Sequence, residues 1–216
     1  MIITRKKTDE DVLKLLSSKK RIFIVGCGDC ATTCRTGGEP EVVRMADLLR
    51  ARGKEVTGWV VPDTACVSAQ AKAAFAKNTV SLKKSDAILV LACGSGVQCV
   101  KNNNRVPLDV FAGCDSLFAA LVNPDGTFRE VCSACGECLL DMTAGICPVT
   151  RCSKSLRNGP CGGQSKGKCE VDRQRDCAWV LIYKEMKDKG NIELMKKIRA
   201  PRDFRKSAKP AADVSV

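Results

Sequence analysis

The chain has 216 residues, 15 cysteines, no histidine and a formal charge of +12. That length leaves room for one or two domains, and an odd cysteine count in a chain of this size argues against a small secreted disulfide scaffold. Aromatics at 4% are too few for a nucleic-acid stacking platform, and the apolar runs at 22–25 and 87–93 are too short to span a bilayer.

Residues 9–20 predict a short amphipathic helix, with Val12, Leu13, Leu15 and Leu16 on one side. The continuous apolar run Ile22-Phe23-Ile24-Val25 predicts a buried strand over 21–26. A loop carrying Cys27, Cys30 and Cys34 follows. Pro40 then opens a helix that runs to about Arg52, with Gly53 as its stop. A second strand is expected over 55–61, a loop over 62–65 and a helix over about 66–76. A third strand is expected over 86–92, and Gly94-Ser-Gly96 opens another short helix. Weaker strands are expected at 108–112 and 117–122. Asn123-Pro-Asp-Gly126 reads as a turn, with 127–131 returning as a hairpin.

Strands alternating with helices predict an α/β fold: a doubly wound, mostly parallel sheet of the flavodoxin or Rossmann kind over 1–126. In such sheets ligands bind outside the carboxyl ends of the strands. Cys27, Cys66 and Cys93 each follow a predicted strand closely, so all three are expected on that edge. Cys27, Cys30 and Cys34 form a compact loop there, and Cys66 or Cys93 supplies a further ligand. Cys99 and Cys114 read instead as small buried hydrophobes. Gly26-Cys-Gly28-Asp-Cys-Ala31 also fits G-x-G-x-x-A, but the next long helix starts near Pro40, too far away to offer its N-terminus to a phosphate. A thioredoxin-like Cys-x2-Cys at Cys27 and Cys30 would leave Cys34 without a purpose.

The stretch 132–177 holds eight cysteines: Cys132, Cys135, Cys138, Cys147, Cys152, Cys161, Cys169 and Cys177. They open as Cys-x2-Cys-x2-Cys, and Cys147 is followed by proline. This approaches the bacterial ferredoxin run with its last spacer stretched. Two intervening residues let the chain curl so that successive thiolates reach different irons of one cubane. Zinc favours separated Cys-x2-Cys pairs, usually with histidine at hand. Iron-sulfur is therefore the first reading for this cysteine-rich domain, expected over 127–200, and zinc the second. A zinc site made from the later four cysteines stays open. Glycines crowd the thiols, and their amides can approach and tune a cluster.

After Cys177 a helix is expected to run to Gly190, with Trp179, Ile182, Tyr183 and Met186 packing over the cysteine-rich domain. Asn191 is expected to cap a last helix to about Arg199. Residues 201–216 are polar, lack periodicity and form a tail that is disordered or laid on a partner. The basic excess after residue 150 reads either as a solvated face or as a surface for an acidic redox carrier. No apolar region follows the opening MIITRKKTDED, so no signal peptide is expected. A reducing cytoplasmic setting, where thiols serve metals, follows from that and the cysteine content.

The words CSACGECLLDMTAGICPVTRCSKSLRNGPCGG, GKCEV and DCAWVLIYKEM closely resemble the methylenetetrahydrofolate reductase C-terminal domain family, the small iron-sulfur subunits of two-subunit reductases in acetogens and other anaerobes. The resemblance extends through GCGDCATTC and LACGSGVQ. It implies metal ligation by Cys27, Cys30, Cys34, Cys66, Cys93 and the eight cysteines from Cys132 to Cys177. It further implies two or three [4Fe-4S] clusters, or zinc in place of one. It implies a flavin-containing catalytic subunit as partner, and a low-potential donor such as ferredoxin or a larger redox complex. The chain is too short for a catalytic barrel of eight strand–helix units, so no flavin and no catalytic residue is expected on it. The expected function is electron relay to that flavin in one-carbon metabolism. The rival expectation is an interaction module held by structural zinc.

Overall fold

The computed structural model describes residues 1–207. The chain divides into two compact units, Met1–Phe118 and a second beginning at Ala119.

The first unit is built on a parallel sheet of order β3-β2-β4-β5, from β2 (Arg21–Val25), β3 (Glu55–Val60), β4 (Ala87–Val90) and β5 (Asp109–Ala112). Side chains alternate across a strand, and β2 and β4 are apolar on both faces because both faces are covered. Ile22, Ile24 and Leu89 pack with Val12, Leu16, Val42, Met45 and Leu49. Those five residues come from α1 (Asp9–Leu15) and its C-cap, and from α3 (Glu39–Ala51). Phe23, Val25, Ile88 and Val90 pack on the other face with Ala71, Phe75, Leu82 and Val100. Those come from α4 (Ser68–Lys77), α5 (Thr79–Lys84) and α6 (Gly94–Asn103). The expected α/β layer with helices on both faces is what forms.

Several expectations need correction. α1 stops at Leu15 rather than residue 20, because Leu16 leaves helical geometry and Lys54 Nζ donates to the carbonyls of Leu16 and Lys19 at 2.7 Å. A strand β1 (Ile2–Lys6) precedes it, which the sequence reading omitted. A four-residue helix α2 (Cys30–Thr33) sits inside the expected loop. α4 starts at Ser68, leaving Cys66 in a loop, and α5 was not foreseen.

The strand β6 (Cys114–Val122) starts three residues before the expected 117. Its later part pairs antiparallel with β7 (Phe128–Cys132), in register Leu121 with Arg129 and Val122 with Phe128. The turn between them is the expected one. Gly126 N donates to Asn123 O at 2.9 Å, and Thr127 N donates to the Asp125 carboxylate at 2.9 Å.

Beyond β7 the second unit is mostly loop, with α7 (Pro148–Arg151) and α8 (Ala178–Asp188) as its helices. Trp179, Ile182 and Met186 of α8 are buried against Ala144, Ile146, Leu156 and Leu194. Trp179 Nε1 donates to Leu156 O at 3.1 Å. Tyr183, expected on that face, is 43% exposed. Residues 192–196 form a short 3-10 helix that Asn191 does not cap with its side chain, in place of the expected helix to Arg199. The tail forms a further 3-10 turn at Phe204–Ser207, and the reading of residues 208–216 lies outside the described residues.

Candidate thiol sites

The first site follows from the direction of the chain connections. β2 leads through α3 to β3 on one side, and β4 leads through α6 to β5 on the other. Such a reversal opens a crevice at the carboxyl ends of the two middle strands. Cys27 comes just after β2 and Cys93 just after β4, so both stand at that crevice. Cys66 arrives beside them from the loop after β3. Burial pushes the Cys66 thiol up, and the neighbouring thiols Cys93, Cys27 and Cys30 push it further. Burial raises Cys30 as well, with Asp29 and Cys27 adding to it. Thiols held protonated in this way give up protons when a cation takes their place.

Backbone hydrogen bonds hold this loop. Cys27 N donates to Gly37 O at 2.8 Å, Gly28 N to Pro62 O at 2.9 Å, and Thr32 Oγ1 to Cys27 O at 2.8 Å. Two glycines allow the close approach. A Cβ on Gly26 would overlap the Gly37 carbonyl, and one on Gly37 would overlap the Leu91 carbonyl. Cys34 caps α2 and points its Sγ toward Ile2 O, 4.0 Å away. Cys66 and Cys93 are alternatives in the sequence; in the fold, Cys66 lies within electrostatic reach of Cys93, Cys27 and Cys30. Cys99 and Cys114 are buried within the two apolar clusters of the sheet.

The second site is the Cys-x2-Cys-x2-Cys run. Cys132 ends β7, and Cys147 caps α7, which packs against β7 through Thr150 Oγ1 to Val131 O at 3.2 Å. Ala134 and Gly136 have φ of 50° and 77°, which turns the chain sharply between the thiols. Ala134 N donates to Cys132 Sγ at 3.4 Å, an amide-to-sulfur contact of the kind that tunes cluster potentials. Glu137 anchors the loop between Arg157 at 2.7 Å and Lys206 at 3.1 Å. Those two cations, Lys206 foremost, hold its carboxyl below the usual range. Arg202 donates to Cys135 O at 3.2 Å. Cys132 and Cys138 are exposed, and Cys135 and Cys147 half-buried.

The third site is a cage. Cys152, Cys161, Cys169 and Cys177 line one cavity of about 20 Å³, with Lys154 and Trp179 among its other walls. Cys177 N donates to Gly167 O at 2.8 Å and Cys169 N to Arg175 O at 2.9 Å, which ties the two later loops together. Ser153 Oγ lies 3.6 Å from Cys169 Sγ and is the main cause of that thiol's lowered pKa; the amides of Asp172 and Val171 add to it. Glu170 raises the Lys154 ammonium through an ion pair, and Cys161 and Cys152 raise it further. A thiol biased toward thiolate and a cation beside it suit anionic sulfur ligation. The sequence reading missed Ser153 and Lys154, although they directly follow Cys152 in the chain.

The donor chemistry fits metals: soft thiolates suit zinc and iron-sulfur clusters. Among the described residues, no group of three or more acidic, histidine or cysteine side chains is drawn close enough to hold an ion as it stands. A cavity of about 20 Å³ holds about one water-sized body, which matches a single ion better than a cube.

The fold and these three thiol groups define a class: a cysteine-rich α/β protein whose second unit is shaped by loops around sulfur. Residues 111–205 match the family described as Methylene-tetrahydrofolate reductase C terminal, which relates that segment to the reductase and to one-carbon metabolism. The match contains the words from CSAC to YKEM and begins after GCGDCATTC and LACGSGVQ. No curated protein and no solved structure matches the chain. Among the described residues, no helix is long and apolar enough to cross a membrane.

Proposed function

We propose that this chain is the electron-transfer subunit of a methylenetetrahydrofolate reductase complex. It takes single electrons from a low-potential donor, such as ferredoxin or a larger redox complex, and passes them to a flavin on a separate catalytic subunit. That subunit reduces methylene- to methyl-tetrahydrofolate. The observation that carries this reading is the arrival of Cys27, Cys66 and Cys93 at one edge of the sheet, with Cys66 within electrostatic reach of Cys93, Cys27 and Cys30. The family match over 111–205 supplies the reaction.

Iron-sulfur clusters, when bound, supply one-electron exchange with little rearrangement. Cys27, Cys30, Cys66 and Cys93 would hold one, with Cys34 as the alternate ligand. Cys132, Cys135, Cys138 and Cys147 would hold another. This chain's own part is to fix the thiolates, exclude water and aim amides such as Ala134 N at sulfur. The cage of Cys152, Cys161, Cys169 and Cys177 favours a structural zinc, on the strength of its small cavity.

Iron, sulfide and zinc counts on the anaerobically purified chain test this reading. Brown protein that bleaches on reduction, and that reduces the flavin of the catalytic subunit, is expected. Colourless protein carrying zinc alone would overturn the electron-transfer role and leave an interaction module.

A further inference from the structure

We propose that a groove on the first unit, away from the crevice of Cys27, Cys66 and Cys93, docks an acidic, amphipathic segment of a partner protein. The groove is bordered by α4, α5 and the end of α6 and has a volume of about 580 Å³. α6 starts beside Cys93 at the carboxyl edge of the sheet and runs ten residues to the groove, which at helical rise is about 15 Å. The groove therefore belongs to no thiol site.

Its floor is apolar. Phe75 and Leu82 are buried in the core, and Val106 packs against the same cluster. Its rim is cationic. Lys72, Lys83 and Arg105 line it and are exposed, and among the described residues none of them has an ion-pair partner. The two asparagines of the lining are already engaged. Asn103 donates to Cys99 O at 2.8 Å, and Asn104 closes the turn by hydrogen bonds in both directions with Val106. Recognition at the rim is thus left to the three positive charges.

The surroundings say which partner fits. From residue 64 to 108 the chain has six cations, Lys72, Lys77, Lys83, Lys84, Lys101 and Arg105, and one acid, Asp86. Asp86 is spent on the backbone amides of Lys20 and Arg21, at 3.1 Å each. Lys77, Lys84 and Lys101 are exposed on the same three helices and carry the positive field past the groove. A small anion would use the rim alone, whereas a polypeptide segment can use the field, the rim and the floor together. Acidic side chains would steer the approach, and apolar ones would settle on Phe75, Leu82 and Val106. This inference does not depend on what the cysteines hold.

The test uses the full chain and a fluorescent peptide alternating glutamate with leucine and phenylalanine. A triple variant, Lys72→Glu, Lys83→Glu and Arg105→Glu, is expected to bind it about tenfold or more weakly. A control with equal charge change on α1 and α3 of the other face, Lys14→Glu, Arg50→Glu and Arg52→Glu, is expected to lose less than about threefold. A peptide with serine in place of leucine and phenylalanine is expected to bind about tenfold more weakly. Thermal unfolding and metal counts accompany each variant; should the glutamate triple fail to fold, a glutamine triple takes its place with the same expectation. Equal loss in the two triple variants, equal binding of the serine peptide, or no binding at low salt would each overturn the proposal. So would displacement by inorganic pyrophosphate beyond that by chloride of matched ionic strength, which would assign the groove to a small anion.

Discussion

Cys114 opens β6 with 4% of its surface exposed, its Sγ 3.6 Å from the Thr36 carbonyl oxygen. Burial among Ile24, Leu89 and Leu91 pushes its thiol from the ordinary 9.0 to about 12. The unfolded chain gives up this proton near pH 9, while the folded chain keeps it until about pH 12. Its contribution to stability is therefore complete below pH 9 and drains away as pH rises toward 12. At about 1.4 kcal/mol per unit of separation, the whole loss is roughly 4 kcal/mol, and about 1.4 kcal/mol of it falls between about pH 8 and pH 10. Urea unfolding of the wild type and of Cys114→Ala across that interval, without air, measures it. Cys30 and Cys66 are also raised, so only the difference between the two proteins counts. The wild type should lose about 1.4 kcal/mol more than the variant between those two pH values. Parallel pH dependence would refute the account of this thiol as a proton held by burial.

Two further outcomes follow from the sites. Cys135→Ala should lower the iron content and loosen residues 132–177 to proteolysis, because metal binding in a loop unit is folding energy; Cys114→Ala should leave iron unchanged, and equal iron in the two variants would refute the ligand assignment. Gly37→Ala drives a Cβ into the Leu91 carbonyl and should cost roughly 3 kcal/mol. Gly94→Ala, whose Cβ would meet only Ser116 Oγ at 3.6 Å, should leave the melting temperature nearly unchanged.

The central strands were legible because burial on both faces leaves an unbroken apolar run, as in Ile22–Val25 and Ala87–Val90. β1 was not, since Ile2–Lys6 has only two buried side chains and ends in exposed Arg5 and Lys6. α5 escaped notice because Thr79–Lys84 is a single short stretch with one buried residue, Leu82, and so offers no period to read. The edge of the sheet on which Cys27, Cys66 and Cys93 arrive could be inferred from strand order alone. That Cys66 comes within reach of Cys27, Cys30 and Cys93 could not, because it depends on how the loop after β3 is drawn in by Gly28 N and Pro62 O. The cage in the second unit was beyond pattern reading for a different reason. Its loops turn at left-handed residues such as Ser155, Gly159, Gly162, Lys166 and Gly167, and hydrophobic periodicity carries no information about such turns.

The crevice cysteines come from three separate strand ends, dozens of residues apart along the chain. Long-range parallel pairing is slow to form, so Cys27, Cys66 and Cys93 share that edge only once the layer has closed. The thiols of the second unit lie within a single short stretch and can meet on a much shorter loop. The later thiols can therefore approach one another early in folding, while those of the crevice wait on the scaffold of the sheet.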